Sequence, residues 1–147
     1  MEDTFKIKGS MIAIKRNVKT GEVSVTRKDN MILNVGFDFI ANAMCSTSRP
    51  AIMQYIAVGT SSDSVVDTQS ALGNELTRKL ATYSHANGTK TFALMTTLSV
   101  GEGTGAITEA GVCNASSGGI FLDRLTFAVI NKGADDELSL IFQFTMS

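Results

Sequence analysis

Residues 105–133 read G-A-I-T-E-A-G-V-C-N-A-S-S-G-G-I-F-L-D-R-L-T-F-A-V-I-N-K-G. Two apolar-rich runs, 106–114 and 120–131, flank the polar pentapeptide A-S-S-G-G, and this pattern predicts a β-hairpin. A loop with a glycine pair suits the reversal, because glycine reaches positive φ without a Cβ clash. The second run is long and mostly apolar, so it is expected in the middle of a sheet.

Downstream of this hairpin, 137–147 read E-L-S-L-I-F-Q-F-T-M-S. Leu138, Leu140, Phe142, Phe144 and Met146 face one way, and Ser139, Ile141, Gln143 and Thr145 face the other. No other segment alternates so long, which predicts a terminal strand pinned into the fold. Upstream, Asn87-Gly88 is the strongest hairpin signal, joining a strand within 71–86 to T-K-T-F-A-L-M-T-T-L-S-V (89–100). Residues 52–60, I-M-Q-Y-I-A-V-G-T, predict a buried strand, and a polar loop, S-S-D-S-V-V-D-T-Q-S-A, follows it.

At the N-terminus Phe5 and Ile7 alternate with Lys6 and Lys8. Gly9-Ser10 reads as a bulge or bend, and N-V-K-T-G (17–21) as a turn. E-V-S-V-T-R (22–27) returns with Val23 and Val25 expected inward. Only 35–45 changes period: Val35, Phe39, Ile40, Ala43 and Met44 fall on one stripe of a short helix, with Asn34 as its expected N-cap. Eight or nine strands, one helix and no crossover helices predict an all-β fold. The best fit is a two-sheet antiparallel β-sandwich of jelly-roll type, with an open barrel second. The chain reads as one domain over 1–147, made of a basic N-terminal hairpin (1–28) and a core (29–147).

Of the 147 residues 44% are apolar and only 18% charged, a low charge content that points to surface covered by partners. A net charge of −1 gives no general attraction to nucleic acid or anionic lipid. The charge is uneven, however. Residues 1–28 hold seven basic side chains against three acidic, and 101–147 hold two basic against six acidic. One reading is two solvated faces. The other is head-to-tail complementarity between copies, with Lys6, Lys8, Lys15 and Arg16 facing a partner. Cys45 and Cys113 lack CxxC spacing and read as free thiols. No leader or apolar run of about 18 residues is present, so cytoplasmic synthesis without a membrane span is expected.

Catalytic and cofactor motifs are not recognisable. His85 sits beside a turn, away from any nucleophile elbow, and shares no metal-ligand spacing with the cysteines. Asp63 and Asp67 lie four apart but lack the glycine and glutamate of a calcium loop. The glycines of 101–105 form G-x-G-x-G with no helix behind them, unlike a phosphate loop. No metal, cofactor or catalytic residue is therefore expected. One polar group stands out. Alternation places Glu109 beside Ile107, facing the interior, where it needs a guanidinium partner from Arg78 or Arg124 as a structural lock. Alternatively, Gly111 marks a bulge that turns Glu109 to solvent.

Several phrases together carry a resemblance: L-N-V-G-F-D-F-I-A-N (33–42), Y-I-A-V-G-T (55–60), E-L-T-R-K (75–79), G-A-I-T-E-A-G-V-C-N-A (105–115) and L-S-L-I-F-Q-F-T (138–145). Over roughly residues 30–147 the chain resembles a family of small tailed-bacteriophage virion proteins, often labelled tail or tail-fibre proteins. Cys113 stands where an aromatic residue is expected. The resemblance implies a non-enzymatic structural protein, assembled in the host cytoplasm into the virion. Its partners would be other virion proteins, either the major capsid protein, as a decoration or cement protein, or tail, collar or baseplate components. A homo-oligomer, most simply a trimer, is expected. A carbohydrate-binding accessory module is a further alternative, against which the absence of Trp and the presence of only two Tyr weigh.

Overall fold

The computed structural model describes residues 4–147, so the first three residues of the expected N-terminal segment lie outside the described residues. Ten strands form among the described residues: β1 (Ile7–Asn17), β2 (Val23–Asp29), β3 (Met31–Ile32), β4 (Tyr55–Gly59), β5 (Glu75–Leu80), β6 (Thr82–His85), β7 (Thr91–Leu98), β8 (Gly105–Cys113), β9 (Asp123–Lys132) and β10 (Asp136–Met146). One helix, α1, lies among the described residues and spans Asn34–Cys45. The strands make two antiparallel five-stranded sheets. The front sheet has the order β2-β1-β10-β7-β6 and the back sheet β3-β9-β8-β4-β5. The expected two-sheet sandwich is therefore the fold.

The strand count exceeds expectation for a physical reason. Only Asn30 separates β2 from β3, and only Ala81 separates β5 from β6. In each pair the chain leaves one sheet and enters the other, so the strand read within 71–86 becomes two and the short β3 follows the expected 22–27 strand. Sandwich corners of this kind are made by strands that bend from one sheet to the next. Ala81 N–H, freed from both ladders, donates to Gln54 O at 2.8 Å.

The long alternating run at the C-terminus becomes the middle of the front sheet. β10 pairs with β1 from Asp136 to Met146 and with β7 on its other side. Leu138, Leu140, Phe142 and Phe144 are fully buried against Ile56, Val58, Ala110, Val112 and Leu125 of the back sheet. The Phe92 and Phe144 rings stack with centroids 5.0 Å apart. A second, smaller apolar cluster, Leu33, Ala57, Leu72, Cys113 and Phe121, lies on the other side of the back sheet. Ala57 sits between Ile56 and Val58 in β4 and so must point away from the main core.

Three local expectations change. Val23 and Val25 are each 52% exposed, because β2 is an edge strand whose odd-numbered residues share the outer face with Ile12 and Ile14. Gly9-Ser10 is neither bulge nor bend: β1 pairs with β10 in unbroken register from Ile7 to Asn17. Gly9 is needed instead because a Cβ there would occupy the space of the Asn30 carboxamide. The helix is capped by Leu33, without a side-chain bond, and Asn34 is its first residue. The Asn34 N–H donates to Asp67 O at 2.9 Å. Gly36 is the buried residue of the helix because it packs onto the Leu122 carbonyl. The expected stripe is half-buried except Met44, which is 67% exposed.

Candidate functional site

The most heavily bonded part of the molecule lies where loop 60–74 covers the back sheet. Glu109 is opposite Gly59 in β4, with Gly111 opposite Ala57 and Cys113 opposite Tyr55. These residues share the outer face of the back sheet. Ile107, two residues earlier, belongs to the main core instead. The pairing of β8 with β9 shifts between Ile107 and Glu109, and this break decouples the two faces. Glu109 is thus buried, as expected, but beneath a loop and not between the sheets. Gly111 is not the cause; the absence of its side chain makes room for the Asp123 backbone and the Phe121 ring.

Both carboxylate oxygens of Glu109 are saturated. Oε1 accepts from Gly73 N–H at 2.7 Å and from Arg124 Nε at 3.0 Å. Oε2 accepts from Ser61 N–H at 2.9 Å and Asn74 N–H at 2.8 Å. Arg124 Nη1 then reaches Asp63 O at 3.2 Å and Gln69 Oε1 at 3.0 Å. Sequence reasoning finds the pair but not its geometry: the contact is single, through Nε, and the other donors are backbone amides. A buried carboxylate with four charge-assisted bonds is held in place and has no free lone pair directed at solvent. The arrangement fastens both ends of loop 60–74 to the sheet.

Arg78 is not part of this lock. Its Nε and Nη2 make a two-point pair with Glu75, at 2.7 and 2.5 Å. Its Nη1 donates to Ala115 O and Gly118 O, and its guanidinium lies over the Phe121 ring. The bond to Glu75 raises its pKa. Arg78 therefore secures the 114–122 loop, in which Gly118 and Gly119 take the positive φ values of 61° and 76° that the glycine pair suggested. Burial pushes the Cys113 thiol up to about 11, so it is a packing residue and not a nucleophile. His85 is exposed, with Nδ1 2.7 Å from Thr91 O. Asp63 and Asp67 are exposed, and no group of three or more potential metal ligands exists among the described residues.

A second buried acid, Asp123, went unrecognised in the sequence, where it lies within the 120–131 run. Its Oδ1 accepts from Val112 N–H at 2.8 Å, and Asn30 Nδ2 donates to Oδ2. Complete burial raises its pKa to about 7, and these hydrogen bonds offset only part of that effect. An acid whose folded-state pKa lies above its unfolded value binds its proton more tightly when folded. Its contribution to stability is thus full below about pH 4 and is lost as pH rises to about 7. Wild type is expected to lose about 3 kcal/mol between pH 5 and pH 8 relative to Asp123→Asn. Urea unfolding of both proteins across that range measures it, and parallel pH profiles would refute it.

Two of the four candidate partner-facing cations, Lys15 and Arg16, are occupied within the chain. Antiparallel pairing of β1 with β10 sets the basic N-terminal segment beside the acidic C-terminal one. Arg16 Nη2 bonds Glu137 at 2.7 Å, Lys19 lies 3.4 Å from Asp135, and Lys15 Nζ donates to Asn131 O at 3.1 Å. Part of the asymmetry that suggested complementarity between copies is therefore met inside one copy. Lys6 and Lys8 remain exposed. Elsewhere, an apolar cavity of about 350 Å³ opens where α1 covers one end of the sandwich, lined by Phe39, Ile40, Ile52, Met53, Tyr83 and Phe92 among others. Ile52, expected inside a strand, precedes β4 and is 69% exposed on its rim. Among the described residues no helix is long and apolar enough to cross a membrane. No family model matches the chain, and no curated protein or solved structure is significantly similar to it.

Proposed function

We propose that this chain is a non-enzymatic structural protein of a bacteriophage virion, most simply a decoration or cement protein seated on the major capsid lattice. The phage assignment rests on the sequence segments 33–42, 55–60, 75–79, 105–115 and 138–145. The observation that carries a docking role is the apolar end of the sandwich. There Ile52 and Tyr83 are exposed on the rim of the cavity under α1, and Phe37 and Met44 are exposed elsewhere on the same helix. An apolar patch of this kind suits burial against another protein. The buried charges Glu109, Arg124 and Asp123 are meanwhile bonded to the chain's own groups and not directed into an open cleft. The protein would act as a homo-oligomer. A tail, collar or baseplate position is the second reading, favoured by the usual label of the family it resembles.

Counting copies per particle by quantitative mass spectrometry of purified virions separates these placements. Copy numbers in the hundreds, with loss of binding to undecorated heads on Ile52→Asp, are expected for decoration. A count that is a small multiple of the tail symmetry moves the protein to the tail, and absence from virions overturns the assignment.

A further inference from the structure

The β2 edge of the front sheet is self-complementary. Residues 21–29 read G-E-V-S-V-T-R-K-D. Two bonds fix which residues of β2 turn toward β1: Asn17 N–H donates to Glu22 O, and Asn30 N–H to Gly9 O. In an antiparallel ladder such residues alternate, so Glu22, Ser24, Thr26, Lys28 and Asn30 bond β1. The N–H and C=O groups of Val23, Val25, Arg27 and Asp29 then point away, to an edge that no strand among the described residues covers. All of β2 but Thr26 is exposed, and it has neither proline nor bulge.

A second antiparallel strand can bond this edge only where outward groups oppose outward groups, which sets odd-numbered residues opposite odd-numbered ones. When the second strand is another β2, centring the pair on Val25 sets Val25 against its own copy, Val23 against Arg27 and Ser24 against Thr26. It also sets Glu22 against Lys28, twice by symmetry. Sliding two residues either way puts Glu22 opposite Thr26 or Asn30 and loses the charge match. Among the described residues neither Glu22 nor Lys28 has an ion-pair partner within the chain. The same register places the two Val25 side chains together on the outer face, continuing an apolar path through Ile14, Ile12, Ile141 and Met95.

We propose that β2 is a self-association edge: two copies join antiparallel about a twofold axis at Val25, making one sheet from the two front sheets. The pairing does not depend on the virion reading. Sedimentation of the full chain over the micromolar range, with amide hydrogen exchange, tests it. A dimer is expected, with the Val23, Val25 and Arg27 amides protected as concentration rises. Glu22→Lys should raise the dissociation constant about tenfold or more, and Glu22→Lys with Lys28→Glu should restore it. Val25→Pro should abolish the dimer while leaving a folded monomer, because the Val25 N–H makes no bond to β1. Should that variant not fold, the charge-swap pair still decides. A monomer at every concentration overturns the proposal, the Arg27-Lys28 pair then acting as a guard against edge pairing. So does a dimer or trimer that is indifferent to Glu22→Lys and whose three amides exchange at monomer rates.

Discussion

Removal of residues 138–147 is expected to leave no cooperatively folded protein. Four of the five same-face apolar side chains in this segment, Leu138, Leu140, Phe142 and Phe144, are fully buried. Each contributes about 1.5–3 kcal/mol, a sum comparable to the roughly 5–15 kcal/mol that holds a whole domain together. The position of the strand adds to the loss. β10 lies between β1 and β7, so its absence strands one edge of each neighbour and separates β2-β1 from β7-β6. Circular dichroism and a thermal melt of the truncated chain measure this directly. A soluble truncation with a sharp transition would mean that β10 is an exchangeable arm and that β1 and β7 can pair without it.

Glu109→Ala is the single substitution expected to cost most, at about 3–5 kcal/mol. It strands the buried Arg124 guanidinium and leaves the amides of Ser61, Gly73 and Asn74 without their acceptor. For a chain of this length that corresponds to a fall in melting temperature of roughly 10–16 °C. Many buried ion pairs can be replaced as a unit by apolar residues at little cost. This one should not be: in Glu109→Leu with Arg124→Met the three backbone amides remain unpaired, so the double variant should recover little. Loop 60–74 should also become the preferred site of proteolysis, since the lock holds both of its ends. Arg78→Ala, which loosens the 114–122 loop instead, is the comparison. A Glu109→Ala melting curve overlaying wild type, with loop 60–74 still protected, would sink the lock.

The residue pattern alone established which residues share a face on most strands, Ile107 and Glu109 of β8 excepted, and where most of the chain reverses. The alternation of 138–146 marked a deeply buried strand, and Asn87-Gly88 and the glycine pair at 118–119 marked two hairpins that formed. Burial of Glu109 with a guanidinium partner was also legible, because an acid amid Ile107, Ala110 and Val112 has few other ways to be accommodated. Alternation cannot say which of two faces is inner, since that depends on what packs on each side. Val23 and Val25 are exposed because β2 is an edge strand, a fact set by its neighbours and not by its own pattern. Tertiary structure alone also decided that 22–32 and 71–86 each divide between two sheets, and that β10 enters between β1 and β7. It also chose Arg124 over Arg78. The β8–β9 register shift turns Glu109 under loop 60–74, where Arg124 lies across Gly111 from it, while Arg78 in β5 is held by Glu75. The opposite charges of the two chain ends were visible in the sequence, but whether they meet within one copy or between copies depended on the β1–β10 pairing. That pairing joins residues more than a hundred positions apart, and no local pattern in the chain encodes it.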